Sequence, residues 1–348
     1  MLAIEDLSLH ISGFQLRNIR FSVERGDYFV ILGASGVGKT LLLEAIAGLR
    51  SPQSGKIHLR GRDITTERVQ TRNLSIVYQD GGLFPHLSVH DNIAYPLKSR
   101  GCKELDGKVN HAALQTGIAD KLSRRPDSLS GGEYQRATLA RCLAADSDIF
   151  LLDEPLSSLD AKSKIELRAL LRKLNRGGIT MVHVTHDYEE AVSLATKIGI
   201  MENGALVHVA SPAEIFRHPK SEFIASFVGI KNYFRGTIRA VSGSDLKEFC
   251  SNGIKIYCLT EIPAGEVFLM IGPGDIMVSN EAEAGSARNR FRGVIRDMIP
   301  AKLGMDLIVD VGVELVATIS SDARKSLNLE IGKEIWVSFK ASSCRVYA

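Results

Sequence analysis

The sequence of 348 residues lacks a decisive charge of either sign: Lys and Arg total 43 against 40 Asp and Glu, a formal net charge of +3. That balance excludes a chain whose main task is coating nucleic acid. No apolar run approaches the ~20 residues that a membrane-spanning helix needs. The opening residues, Met1-Leu2-Ala3-Ile4-Glu5-Asp6, hold no basic segment followed by an apolar stretch, so no secretory signal is expected. Cysteine is scarce. Cys102, Cys142, Cys250, Cys258 and Cys344 make an odd number, with no C-x-x-C pair. Free thiols in a reducing compartment, and hence a cytoplasmic chain, are expected rather than disulfides or zinc. A hydrophobic content of 45% and a charged content of 24% are ordinary for a globular protein. Disordered and collagen-like classes are thereby excluded.

What is present divides in two. Residues 1–229 alternate strand-like and helix-like patterns. Phe29-Val30-Ile31-Leu32, Ile149-Phe150-Leu151-Leu152 and Thr180-Met181-Val182-His183-Val184 are short apolar runs. Such runs suit parallel strands buried on both faces. Thr40 to Leu49 and Ile165 to Leu174 carry helical spacing. This is α/β patterning. Beyond Gly229 come short alternating stretches punctuated by glycine, the pattern of small β-barrels. This second part, 230–348, repeats itself. Asn232-Tyr233-Phe234-Arg235-Gly236-Thr237-Ile238-Arg239 matches Asn289-Arg290-Phe291-Arg292-Gly293-Val294-Ile295-Arg296 at six of eight positions. Two related β-modules, about 232–280 and 286–348, are therefore expected.

Gly33-Ala34-Ser35-Gly36-Val37-Gly38-Lys39-Thr40 fits G-x-x-x-x-G-K-[ST], between a strand and a helix. Its glycines let backbone N–H groups approach phosphate oxygens, and the helix N-terminus adds partial positive charge. Lys39 then serves the β and γ phosphates, and the Thr40 hydroxyl ligates Mg²⁺. The strand Ile149–Leu152 ends in Asp153 and Glu154. Asp153 can reach Mg²⁺, and Glu154 can orient or deprotonate the attacking water. Leu129-Ser130-Gly131-Gly132-Glu133 leads into a helix over 134–144, a second anion-binding terminus. Two such termini far apart in sequence are most simply used by a two-fold dimer, each Ser130-Gly131-Gly132 closing on nucleotide held by the partner.

This constellation resembles the ATP-binding cassette (ABC) ATPases over residues 1–229. The resemblance implies an α/β P-loop NTPase with a helical subdomain, followed by an all-β, OB-like C-terminal domain of the TOBE or molbindin type. It makes Ser130, Gly131, Gly132 and Glu133 the signature, with Glu where Gln is common. Gln79 resembles the Q-loop glutamine, near Mg²⁺ and the attacking water. Ser157, Ser158, Leu159 and Asp160 resemble the D-loop, and His186 the switch histidine at the γ-phosphate. The adenine-stacking ring is Phe14 or His10. Leu83-Phe84-Pro85-His86-Leu87-Ser88-Val89 resembles the surface that receives a permease helix. The implied cofactors are ATP and Mg²⁺. The implied partners are a second copy, membrane permease subunits and, indirectly, an extracytoplasmic oxyanion-binding protein, with no nucleic acid. The implied location is peripheral, on the cytoplasmic face of the cell membrane.

The tail resembles molbindin-type modules and the tails of molybdate importer ATPases over 286–348. Ser286, Arg288, Asn289, Lys340, Ala341 and Ser342 are the candidate oxyanion residues, since cations and hydroxyls beside backbone N–H groups suit a small tetrahedral anion. The implied function is ATP-driven import of molybdate or tungstate, with the oxyanion binding the tail and inhibiting. Import of sulfate, a sugar, a polyamine or iron is the alternative cargo. A cassette ATPase acting on DNA or ribosomes, and an oxyanion-storing module, are the alternative classes.

Overall fold

The computed structural model describes residues 1–11, 13–217, 225, 230–282, 285–301 and 304–347. The chain divides into two units, Met1–Glu214 and Ile215–Ala348. That division precedes the boundary expected at 229/230, and most residues between the two, 218–224 and 226–229, lie outside the described ones.

The first unit begins with the hairpin strands β1 (Leu2–Ile11) and β2 (Phe14–Val23), then β3 (Tyr28–Leu32) and α1 (Lys39–Ala47). β4 (Ser54–Leu59), β5 (Arg62–Asp63) and β6 (Leu74–Val77) follow, then α2 (Val89–Ser99), α3 (Leu105–Thr116) and α4 (Gly131–Ala144). β7 (Ile149–Asp153), α5 (Ala161–Arg176), β8 (Thr180–Thr185), α6 (Tyr188–Leu194), β9 (Lys197–Glu202) and β10 (Ala205–Ala210) complete it, with α7 (Pro212–Arg217) spanning the division. The three apolar runs of the sequence are β3, β7 and β8, buried at every residue. They lie side by side and parallel in a sheet of order β10-β9-β3-β8-β7-β6. A second, antiparallel sheet of order β2-β1-β4-β5 shares one apolar core with it, and α1 belongs to that core.

The far end of α1 is fixed by a buried cation. The Arg72 guanidinium donates to the carbonyls of Ala45 (3.0 Å) and Ile46 (2.8 Å) in the last turn of α1, and to those of Glu67 and Thr65. It satisfies carbonyls that a helix end leaves unpaired and matches the sign of the dipole there. Gly48 is required by this contact, because a Cβ would stand 2.5 Å from Arg72 Nε.

Helices α2, α3 and α4 form a subdomain with its own core. Leu83 and Val89 are buried in it, so the surface expected over 83–89 to receive a permease helix does not include these two side chains. Phe84 is half-buried, its ring 4.7 Å from that of the exposed Tyr95.

The second unit contains β11 (Asn232–Ala240), β12 (Lys247–Ser251), β13 (Ile254–Cys258), β14 (Gly265–Ile271) and β15 (Met277–Ser279). Then come β16 (Asn289–Ala301), β17 (Gly304–Asp310), β18 (Glu314–Ile319), α8 (Ser321–Ser326), β19 (Glu334–Phe339) and β20 (Cys344–Tyr347). Two five-stranded antiparallel sheets result, β13-β12-β11-β14-β20 and β15-β19-β16-β17-β18. The sheets are not the two sequence modules. Each module sends its last strand into the sheet of the other: β15 pairs with β19, and β20 pairs with β14. One apolar core serves both sheets.

The repeated asparagines lock the exchange. Asn232 donates to the carbonyl of Val316 (2.8 Å) and accepts from its N–H (2.6 Å). Asn289 does the same to Tyr257, at 2.8 and 2.7 Å. The repeated glycines are explained by close approach. A Cβ on Gly236 would stand 2.2 Å from Cys250 O, and one on Gly293 2.6 Å from Asp310 O.

Candidate nucleotide site

The loop 33–38 joins the buried end of β3 to α1. Gly36 and Gly38 take φ of +84° and +98°, which side chains resist, and a Cβ on Gly38 would stand 2.5 Å from the Phe14 ring. Phe14 at the start of β2 therefore reaches the loop. His10 is exposed on β1 and pairs with Gln15. Lys39 Nζ folds back into the loop and donates to the carbonyls of Gly33 (2.8 Å) and Ala34 (2.9 Å). Burial lowers its pKa, opposed by the carboxylates of Glu154 and Asp153.

Asp153 ends β7, buried, and accepts a hydrogen bond from Thr40 Oγ1 at 3.0 Å. Burial pushes its carboxyl above the ordinary range, the Thr40 bond opposing and the Glu154 charge adding to the rise. The next residue, Glu154, has φ of +45°. A non-glycine residue in the left-handed region costs on the order of 1–3 kcal/mol. Its own N–H, bonded to Val184 O at 3.0 Å, pins the turn. The turn aims the carboxylate at Lys39 Nζ (3.8 Å) and His186 Nδ1 (3.0 Å). Gln79, just past β6, lines with Ser35, Lys39, Thr40 and Glu154 a cavity of about 580 Å³. Its backbone carbonyl accepts from Gln135 on α4 at 3.3 Å.

His186 follows β8 and is half-exposed. Its loop is held from beneath. Thr185 Oγ1 donates to Glu190 (2.7 Å) and accepts from the N–H of Asp187 (3.0 Å). Asp187 in turn caps α6 by accepting from the N–H of Glu190 (3.1 Å). Behind them Tyr28 OH lies 3.0 Å from Nδ1 of the fully buried His183, whose Nε2 is 3.5 Å from Glu190. These supporting residues escaped the motif reading. The Asp-x-x-Glu pattern of 187–190 was the available signal, since it marks a helix start.

Ser130 is the N-cap of α4. It accepts from the N–H of Glu133 (3.4 Å), and the Glu133 carboxylate accepts from the N–H of Ser130 (2.9 Å). This capping box fixes Gly131 and Gly132 at the head of the helix. A Cβ on Gly131 would stand 3.0 Å from Leu159 of the same chain, so the D-loop underlies the signature. Within that loop Ser157 Oγ donates to Glu154 O at 2.9 Å, Ser158 is exposed, and Asp160 caps α5 through the N–H groups of Lys162 and Ser163. The phosphate loop, Glu154 and Gln79 thus line one cavity, with Asp153 bonded to its Thr40 and His186 to its Glu154. The signature heads a different helix, where the Ser130 hydroxyl oxygen and the Glu133 carboxylate both accept backbone N–H groups in the cap.

The donor set fits a polyphosphate with a divalent cation. The loop N–H groups and Lys39 suit phosphate oxygens. Thr40 Oγ1, Asp153 and Gln79 offer oxygens of the hard type that Mg²⁺ takes, and Thr40 and Asp153 already converge.

The candidate oxyanion residues lie in the second unit. Ser286, Arg288, Lys340 and Ser342 are exposed, and Asn289 and Ala341 are buried. The Arg288 guanidinium stands over the Tyr257 ring, 5.5 Å from its centre. Asn289 corrects the expectation, because both ends of its side-chain amide are occupied by Tyr257 backbone. It is a buried clamp between modules, with its amide oxygen and one of its N–H groups engaged by Tyr257. The Ala341 carbonyl accepts from Leu259 N–H at 3.1 Å.

Comparison with known proteins agrees with this geometry. Residues 16–157 match the ABC transporter family, and residues 285–346 match the TOBE domain. The molybdate/tungstate import ATP-binding protein of Pyrococcus abyssi is 39% identical over all of both chains. The chain belongs to the ABC transporter family. It is an ATPase coupled to transport. A sulfate/thiosulfate import ATP-binding protein of Thermosynechococcus vestitus is 35% identical, over 97% of this chain and 95% of the other. The structure of the ATP-binding cassette MJ0796, dimeric in a post-hydrolysis state with ADP and Pi, matches with a TM-score of 0.55 at 26% identity. It covers 61% of this chain and 99% of that one. The first unit thus has the fold of an ABC ATPase, and the second is a β-rich TOBE-type tail. No helix among the described residues is long and apolar enough to cross a membrane.

Proposed function

We propose that this ABC transporter ATPase energises import of molybdate or tungstate and that its tail senses the same oxyanion. The observation that carries the reading is full-length similarity, through the tail, to relatives named for molybdate/tungstate import. In this reading two copies face each other, as in the dimeric cassette that matches the first unit. Each Ser130-Gly131-Gly132 meets nucleotide held by the partner's phosphate loop. Permease subunits cross the membrane in separate chains, fed by an extracytoplasmic oxyanion-binding protein, and this chain works peripherally on the cytoplasmic face.

Chemistry follows from the contacts. Lys39 and the loop N–H groups hold the β and γ phosphates of ATP. Thr40, Asp153 and Gln79 would hold Mg²⁺, whose charge would offset that of those phosphates. Glu154 accepts a proton from water as the water oxygen bonds to the γ-phosphorus. The bond to the β–γ bridging oxygen breaks, and ADP leaves with that electron pair. His186, 3.0 Å from Glu154, orients that carboxylate and faces the transferring group. Phe14, against Gly38, offers the adenine a ring.

A second cargo, sulfate, is favoured by the 35% identical sulfate/thiosulfate relative, which also spans the tail. ATPase activity of the chain in complex with its permease, measured against rising molybdate, tungstate and sulfate, separates the readings. Inhibition by molybdate or tungstate alone is the expected result. Inhibition by sulfate alone, or by none, overturns the proposal for the tail.

A further inference from the structure

The exchanged strands give the tail an internal pseudo-two-fold relation, and the two asparagine clamps set its correspondences. Asn232 against Val316 matches Asn289 against Tyr257. Val316 is paired with Ile308, and Tyr257 with Glu248. Two residues further along, Thr318 and Asp306 are still paired in β18 and β17, whereas the corresponding Leu259 and Leu246 lie one residue beyond the ends of β13 and β12. One residue before each asparagine, Lys231 corresponds to Arg288.

The two positions differ sharply in charge. At the first, Lys231 Nζ forms an ion pair with Asp306, and Thr318 Oγ1 donates to the same carboxylate at 2.6 Å. Asp306 is buried, only 4% exposed, and it comes from the other module's sheet. At the twin position the carboxylate and the hydroxyl are replaced by Leu246 and Leu259. Arg288 there has no carboxylate partner among the described residues, and neither has Lys340 nearby in sequence to the Ala341 carbonyl that Leu259 engages. A cation matched by an internal anion on one side is thus left unmatched on the other.

We propose that Asp306 is a built-in anion filling one of two equivalent positions, so that each chain takes one tetrahedral dianion rather than two, at Arg288. This rests on the oxyanion reading of the tail and fixes its stoichiometry and its side. A dianion brought to Lys231 would face the buried Asp306 charge, and like charges at contact oppose binding. At Arg288 it meets cation and no competing carboxylate. Removing the Asp306 carboxylate frees Lys231 and Thr318 for a second anion.

The experiment is calorimetric titration of the full chain with tungstate, molybdate and sulfate. Wild type is expected to bind one tungstate or molybdate per chain. Arg288→Ala is expected to weaken binding at least ten-fold. Asp306→Ser is expected to raise the stoichiometry to two, and Lys231→Met in that background to return it to one. Asp306→Asn serves in place of Asp306→Ser if the latter loses the thermal transition of wild type. Two ions bound by wild type overturn the filled-position proposal and leave the sensing function standing. No ion bound by wild type overturns both. One ion bound that survives Arg288→Ala, or an unchanged stoichiometry in the folded Asp306 variant, overturns the assignment of sides.

Discussion

His186 Nδ1 lies 3.0 Å from Glu154 Oε1, and the same oxygen is 3.8 Å from Lys39 Nζ. One carboxylate therefore links the end of β8, the end of β7 and the phosphate loop. Glu154→Gln keeps the shape and the cradle but removes the proton acceptor. ATP binding is expected to persist while hydrolysis falls by about 10²–10⁴-fold, the usual value of a positioned base. His186→Ala is expected to lower the turnover number more than it raises KM. Lys39→Ala is expected to abolish binding itself. Fluorescent-nucleotide binding and single-turnover hydrolysis separate the three. Glu154→Gln turning over at the wild-type rate would remove that residue from the mechanism.

Asp153 should oppose stability while serving function. Its folded-state pKa is raised, burial being the main cause. A carboxyl raised in the folded state costs stability above that pKa and nothing below the unfolded value, where both states are protonated. Asp153→Asn is therefore expected to stabilise the nucleotide-free chain at neutral pH. The gain should vanish as pH falls through the carboxylate range. Thermal melts of both proteins across pH test this, and a gain that grows toward low pH would contradict it.

Glu133 places a negative charge at the head of α4. Its hydrogen bond from the Ser130 N–H holds its pKa below the usual range, so it is charged at neutral pH. A partner's γ-phosphate would meet that charge. Glu133→Gln keeps an acceptor for Ser130 N–H and removes the repulsion. KM for ATP is expected to fall several-fold, with stability changed by less than about 1 kcal/mol, the scale of a charge at a helix end. Steady-state ATPase kinetics decide, and an unchanged KM would count against a trans role for this terminus.

The asparagine clamps should both hold the tail together, Asn232 with an added bond to the carbonyl of Ile271 (3.2 Å). Asn232→Ala leaves the N–H and carbonyl of Val316 without that partner, and Asn289→Ala does so for Tyr257. These groups are half-buried on edge strands, so each lost bond costs toward the lower end of the roughly 1–3 kcal/mol of an unsatisfied buried group. Either substitution is expected to destabilise the second unit by about 2–4 kcal/mol and to leave nucleotide binding unaltered. Urea unfolding followed at Trp336, the one tryptophan of the chain, reads that unit selectively. Loss of less than about 0.5 kcal/mol would show the clamps to be incidental.

Much of the engine was legible because its chemistry is local in sequence. The phosphate loop, the Asp153–Glu154 pair, the Ser130 cap and His186 each sit at the end of a strongly patterned strand or helix. The duplicated tail was legible as a repeat too. Its strand exchange was not, because similarity between 232–239 and 289–296 leaves open which sheet β15 and β20 will join. Asn289 illustrates the consequence. Beside Arg288 it looked like a ligand, but its partner, Tyr257, lies 32 positions earlier in the other module. Arg72 and Asp306 were hidden for the same reason. A buried charge cannot be told from a solvated one until the segment that pairs with it is known.

The most direct test of the transport reading is uptake by proteoliposomes that contain this chain, with its permease, and enclosed ATP. Tungstate or molybdate supplied with the extracytoplasmic binding protein should accumulate in wild type and fail to do so with Glu154→Gln. Accumulation of sulfate with no uptake of either heavier oxyanion would contradict it.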